Sequence, residues 1–159
     1  MNCTTRLCAF ALLLFSVGGG LARAESLDLE PVADFLKLPE GWKLGNCSAV
    51  SVNSQGEIFL FHRGEHPLVC FDKEGKYLRS WGDGVIEMAH GLRIDRDDNV
   101  WVTDIGQHKV FKFDPQGKLL MSLGTGVAGD GADQFNKPTD IAFGPKGEIY
   151  VTDGYGIAA

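Results

Sequence analysis

His90, Arg63 and Tyr155 are polar residues whose types could do chemistry and whose positions break the pattern around them. An imidazole can ligate a metal ion, a guanidinium carries a fixed positive charge, and a phenol can pass a proton. His90 stands where the corresponding positions of an internal repeat hold Ser48 and Thr139. Arg63 stands where they hold Ile105 and Gly154, and Tyr155 replaces the turn glycines Gly64 and Gly106. Zinc in a catalytic role commonly has three protein ligands and an open fourth position, so ligands drawn from separate repeats could meet on one ion. Bland readings stand beside these. A lone histidine is more often a hydrogen-bonded structural group, an arginine a surface salt-bridge partner and a tyrosine a packing residue.

The elements that would position these residues are set by the repeat. A shift of 42 residues lays Val50 on Leu92, Phe59-Leu60 on Trp101-Val102, Phe71-Asp72 on Phe113-Asp114 and Gly82 on Gly124 without a gap. A further shift of 49 brings Leu92 onto Ile141 and Trp101-Val102-Thr103-Asp104 onto Tyr150-Val151-Thr152-Asp153. Units of about 40–45 residues built from short alternating strands and glycine turns are the mark of β-propeller blades. First strands are expected at 48–52, 91–94 and 139–143, and second strands at 58–61, 100–103 and 149–152. Third strands follow at 68–71 and 109–113, outer strands at 77–81 and 119–123. The innermost strands of a propeller surround its axis, and His90 enters one of them. His66 and His108 fall 42 apart and so read as structural turn histidines, while the recurring Asp104 and Asp153 read as turn acceptors.

Residues 1–24 read as a secretory signal: Arg6, an apolar run from Leu7 to Val17, then the small-residue pattern Ala22-Arg23-Ala24. The run is too short to span a bilayer. Export to a periplasmic or extracellular compartment is the expectation, with a lead-in at 25–45 and a partial propeller at 46–159. Its blades cover about 46–84, 88–126 and an incomplete 136–159. Without the leader, 13 basic residues face 21 acidic ones, a net charge of −8, which argues against nucleic acid and anionic membrane as partners. Cys47 and Cys70 are the cysteines left to pair, and spacing alone leaves that open. A lone pair of blades would leave core residues such as Trp101, Phe111 and Phe143 partly wet.

With these residues in place, the chain resembles the catalytic core of the peptidyl-α-hydroxyglycine α-amidating lyases, six-bladed propellers of the NHL-repeat type. The resemblance covers about 38–155. It rests on Phe61-His62-Arg63-Gly64, Ser80-Trp81-Gly82, His90-Gly91-Leu92, Asn99-Val100-Trp101-Val102-Thr103-Asp104, Lys137-Pro138-Thr139-Asp140 and Asp153-Gly154-Tyr155, in order and at matching spacing. It implies that His90 is one of three histidines holding a catalytic zinc ion. Val50 and Leu92 would give backbone carbonyls to a structural calcium ion. Arg63 would be an active-site arginine and Tyr155 the base. The implied reaction cleaves a peptidyl-α-hydroxyglycine into a peptide amide and glyoxylate, by a protein that is a monomer when complete. Zinc on the substrate hydroxyl would ease loss of its proton. Animal members carry a disulfide in the third blade, and its two positions here are Asn136 and Gly156, so the bridge is not used.

The remaining zinc histidines of the family fall past Ala159, and residues 156–159 do not continue toward a third strand, as in a truncated or frame-shifted gene model. The chain is therefore expected to be an inactive portion of such a lyase. A non-catalytic envelope propeller that binds peptide, glycan or protein is the alternative. A sugar-lactone hydrolase fits less well, since no acidic metal-ligand set is evident at the axial positions.

Overall fold

The computed structural model describes residues 29–155, so the proposed leader at 1–24 lies outside the described residues. The fold from Val32 onward is all-β. It runs β1 (Asn46–Val52), β2 (Ile58–Arg63), β3 (Leu68–Phe71), β4 (Tyr77–Trp81), β5 (Ala89–Ile94), β6 (Val100–Asp104), β7 (Lys109–Phe113), β8 (Leu119–Leu123), β9 (Asp140–Phe143) and β10 (Ile149–Thr152). Two sheets are four-stranded antiparallel meanders, β1-β2-β3-β4 and β5-β6-β7-β8, and β9 pairs with β10 as the start of a third. Among the described residues no helix is long and apolar enough to cross a membrane.

Period-two alternation decides which face each strand gives to its neighbour. On β2, Phe59 and Phe61 join Leu68, Cys70 and Trp81 and meet Leu92, Val100, Val102, Phe111 and Phe113 of the second sheet. The intervening Leu60, Val69 and Phe71 face the other way, where Leu36, Leu38 and Leu44 of the lead-in cover them. The lead-in thus packs on the first blade, and its Lys37 bridges Lys76. Trp101 and Val110 point away from the first blade toward Ile141. Phe111 is buried against the first sheet and Trp101 against Ile141 of the third pair, while Phe143 is 37% exposed.

The largest departures at strand starts are those of β1 and β5, which each begin two residues early; β2 and β6 run on to Arg63 and Asp104, and β9 begins one residue late. The cause of the early starts is a bulge. Register slips between Cys47 and Ala49 on β1 and between Ala89 and Leu92 on β5, so one extra residue interrupts the alternation in each blade.

Blade closure repeats a single device. Asp104 accepts hydrogen bonds from the Glu87 and Met88 amides ahead of β5, and from those of Gly106 and Gln107 in the turn after β6. Asp153 accepts from the Asn136 amide ahead of β9. In the first blade the equivalent acceptor is buried His62, whose Nδ1 takes the Gly45 amide hydrogen at 3.1 Å. His66 and His108 are turn residues, both with left-handed backbones (φ 56° and 55°). His66 stacks on Trp42 with ring centroids 3.8 Å apart and bonds Asp83.

Cys47 and Cys70 are both free. They sit on β1 and β3 with β2 between them, and two strand spacings of about 4.8 Å exceed what a disulfide can bridge. Burial pushes the Cys70 thiol up to about 12.

Candidate active site on the propeller axis

The bulge that displaced the strand boundaries places His90 at the axis. Ser48 occupies the bulge of β1, and His90 the same register position of β5. Bulges re-aim a side chain that regular pleating would bury or turn away. The His90 Nδ1 lies 2.9 Å from the Thr139 carbonyl oxygen. A carbonyl only accepts, so Nδ1 carries the hydrogen and, in the neutral ring, Nε2 keeps its lone pair. A backbone carbonyl on one ring nitrogen is the usual arrangement behind a metal-ligating imidazole.

The same carbonyl fixes how β5 meets β9. Thr103 Oγ1 donates to Thr139 O at 3.1 Å and accepts from the Gly91 amide at 2.7 Å. Gly91 is required there, because a Cβ would collide with the Thr139 carbonyl and crowd the Thr103 hydroxyl. The phrase His90-Gly91 is thus one histidine to face the axis and one glycine to let the third blade approach.

Tyr155 sits beside His90, with ring centroids 5.5 Å apart and planes at 57°. It is two-thirds exposed. Arg63 reaches from the end of β2 into the second blade, where its Nε donates to the Ala89 carbonyl at 3.0 Å, one residue before His90. Among the described residues no carboxylate pairs with it and its Nη groups have no partner. The three residues that break the repeat therefore gather at one end of the sheets, on three different blades.

Val50 and Leu92 line an open cleft of about 450 Å³ with Ser48, His90, Thr139 and Asp140. They hold equivalent positions on the edge strands β1 and β5, so their carbonyls face alike. Arg93 and Asp140 also line this cleft, and the sequence reading passed over both. Arg93 replaces Ser51 and Ala142 of the other blades, and Asp140 replaces Ala49 and Gly91. The register test that singled out His90 would have found them.

The donor set fits one corner of a zinc site. His90 offers a free Nε2, while among the described residues no group of three histidine, cysteine or carboxylate side chains could hold a metal. The calcium expectation fits less well. The Leu92 carbonyl accepts a hydrogen bond from Arg93 Nη1 at 3.4 Å, so a cationic group already stands on the oxygen that the ion would use.

No model of a protein family matches the chain. In fold it is a β-propeller. It is similar to virginiamycin B lyase from Staphylococcus aureus (TM-score 0.53, 19% identity, 68% of this chain and 34% of that one). It is also similar to the extracellular domain of a putative hybrid two-component system from B. thetaiotaomicron (TM-score 0.56, 13% identity, 75% and 16%). In sequence it is an amidating-lyase-like propeller. It is 35% identical over 138 residues to a probable peptidyl-alpha-hydroxyglycine alpha-amidating lyase of Caenorhabditis elegans, covering 71% of this chain and 39% of that protein. It is 34% identical over 161 residues to peptidylglycine alpha-amidating monooxygenase of Rattus norvegicus, covering 79% and 16%. Lyase 2 of Drosophila melanogaster aligns at 32% over 150 residues, covering 74% and 37%. The chain spans about two fifths or less of the curated relatives it matches.

Proposed function

We propose that this chain is part of an exported, zinc-dependent lyase that splits a peptidyl-α-hydroxyglycine into a peptide amide and glyoxylate. One observation carries the reading: His90 is held in the tautomer that leaves Nε2 open, beside Tyr155 and one residue from the Arg63 anchor. The names of the curated relatives supply the substrate class.

His90 would give one ligand to zinc, whose chemistry when bound is to acidify a hydroxyl group. Tyr155 would take the proton from the substrate hydroxyl. The carbon-oxygen bond then becomes a carbonyl as the carbon-nitrogen bond breaks, and the departing amide nitrogen takes up a proton. The unpartnered Nη groups of Arg63 offer two donors and a positive charge to a carboxylate or developing oxyanion. A single imidazole does not hold a catalytic zinc ion, so the ligand set needs residues beyond those described.

The 159-residue chain is accordingly expected to release no glyoxylate from a peptide ending in α-hydroxyglycine, and release would refute that expectation. In a protein carrying this segment with the rest of the ring, His90→Ala should lower zinc content on elemental analysis and abolish glyoxylate release. Tyr155→Phe should keep the zinc and lose turnover. A complete ring that binds peptide but holds no zinc would favour the non-catalytic binding propeller instead.

A further inference from the structure

We propose that Arg93 is a built-in cation of the axial cleft, standing on one of the two carbonyls that the family resemblance would give to calcium, so that this propeller is held at its axis without a divalent ion. The proposal rests on the fold and is independent of the lyase reading.

Val50, Leu92 and Ile141 hold the same register position in successive blades, and the Arg93 guanidinium contacts two of their three carbonyls. Its Nη1 donates to Leu92 O at 3.4 Å and its Nε to Ile141 O at 3.3 Å. Its Nη2 pairs with the Asp140 carboxylate. One planar side chain from β5 thus joins the innermost strand of its own blade to that of the next, by three donors that diverge from a rigid fork.

A calcium ion wants six to eight oxygens at about 2.3–2.6 Å, with carboxylates among them. Asp140 is the acidic side chain of the cleft lining, and Arg93 neutralises it. An added ion would share the Leu92 oxygen with a group of its own sign and, among the described residues, find no free negative charge in the cleft lining. The other described blades point the same way: Ser51 and Ala142, at the equivalent positions, cannot make the contact, so among them the guanidinium is a single insertion.

Thermal unfolding of the full chain, followed by tryptophan fluorescence in excess calcium chloride and in excess chelator, tests this. The unsubstituted protein should melt at the same temperature in both and carry no stoichiometric calcium on elemental analysis. Arg93→Ser, which installs the residue of the first blade and frees Asp140, should melt lower in chelator by about 3–6 °C. It should regain that loss in calcium and bind the ion in a calorimetric titration. Arg93→Lys keeps one charge without the fork and should be slightly less stable yet still indifferent to calcium. A chelator-sensitive unsubstituted protein, bound calcium in it, or a folded Arg93→Ser protein with no calcium response would each overturn the proposal.

Discussion

The two blade junctions are built from different materials. Between the first and second sheets, eleven buried residues interdigitate, four of them phenylalanines. Between the second and third, the buried cluster is only Trp101, Val110 and Ile141, with Leu123, Phe135 and Val151 partly buried against it, and much of the remaining contact is polar. There His90, Thr103 and Arg93 bind the Thr139, Asp140 and Ile141 segment through side chains and carbonyls. The apolar junction supplies stability, because burial is non-directional and scales with area. The polar junction supplies direction: hydrogen bonds fix the His90 tautomer and the approach of β9, which a greasy contact would leave free to slide. His90 and Tyr155 sit at the polar junction, while Arg63 spans the apolar one.

That contrast can be broken at its strongest point first. Phe61 is fully buried at the apolar junction, and Phe61→Ala should cost about 3–5 kcal/mol in urea denaturation. Ile141→Ala at the smaller junction should cost about 2 kcal/mol. Equal losses would mean that the two junctions contribute alike.

Arg79 sharpens the comparison, since it is a polar latch on the largely apolar junction. It grips Glu57 with two hydrogen bonds (2.9 and 2.8 Å), donates from Nε to the Pro115 carbonyl of the second blade at 2.8 Å, and lies over Phe59. The Arg79 hydrogen bonds hold the Glu57 carboxyl below its ordinary range. Arg79→Met should cost about 2 kcal/mol in the same measurement. A neutral result would reduce the latch to decoration.

The smallest effect concerns pH. Burial holds His62 below its ordinary value of about 6.5 and outweighs a backbone hydrogen bond with His66 that acts the other way; the neutral Nδ1 accepts the Gly45 amide hydrogen. The unfolded chain then binds the proton more readily than the folded one. The stability contribution is complete above pH ~6.5 and declines as pH falls from there through the folded value. His62→Asp, which installs the acceptor of the other two blades, should flatten melting temperature across that window. The lowered carboxylates act at more acid pH. Burial would raise Asp95, but hydrogen bonds from Trp101 and Asn99 outweigh it and hold it low, as the His66 hydrogen bond does for Asp83. Their contributions are lost as pH falls below the ordinary carboxylate range. An unchanged slope in His62→Asp would remove His62 from the acid response.

Periodicity alone sufficed for the blades. Strand order, the face each of Phe59, Leu60, Val100 and Trp101 presents, and the turn roles of His66, His108 and Asp104 all follow from alternation and recurrence, which are local properties of the chain. Breaks in recurrence also pointed to His90, Arg63 and Tyr155, because a repeat shows which residues its own scaffold needs. The bulges at Ser48 and His90 were not legible, since an extra residue reads as an interruption of the strand until its partner strand is known. Nor were the Thr139 carbonyl that sets the His90 tautomer, or the Arg93 guanidinium set between Leu92 and Ile141. The contacts to Thr139 and Ile141 join residues 49 and 48 positions apart through backbone oxygens, and a backbone oxygen leaves no trace in residue types; only the approach of β9 to β5 brings it into place.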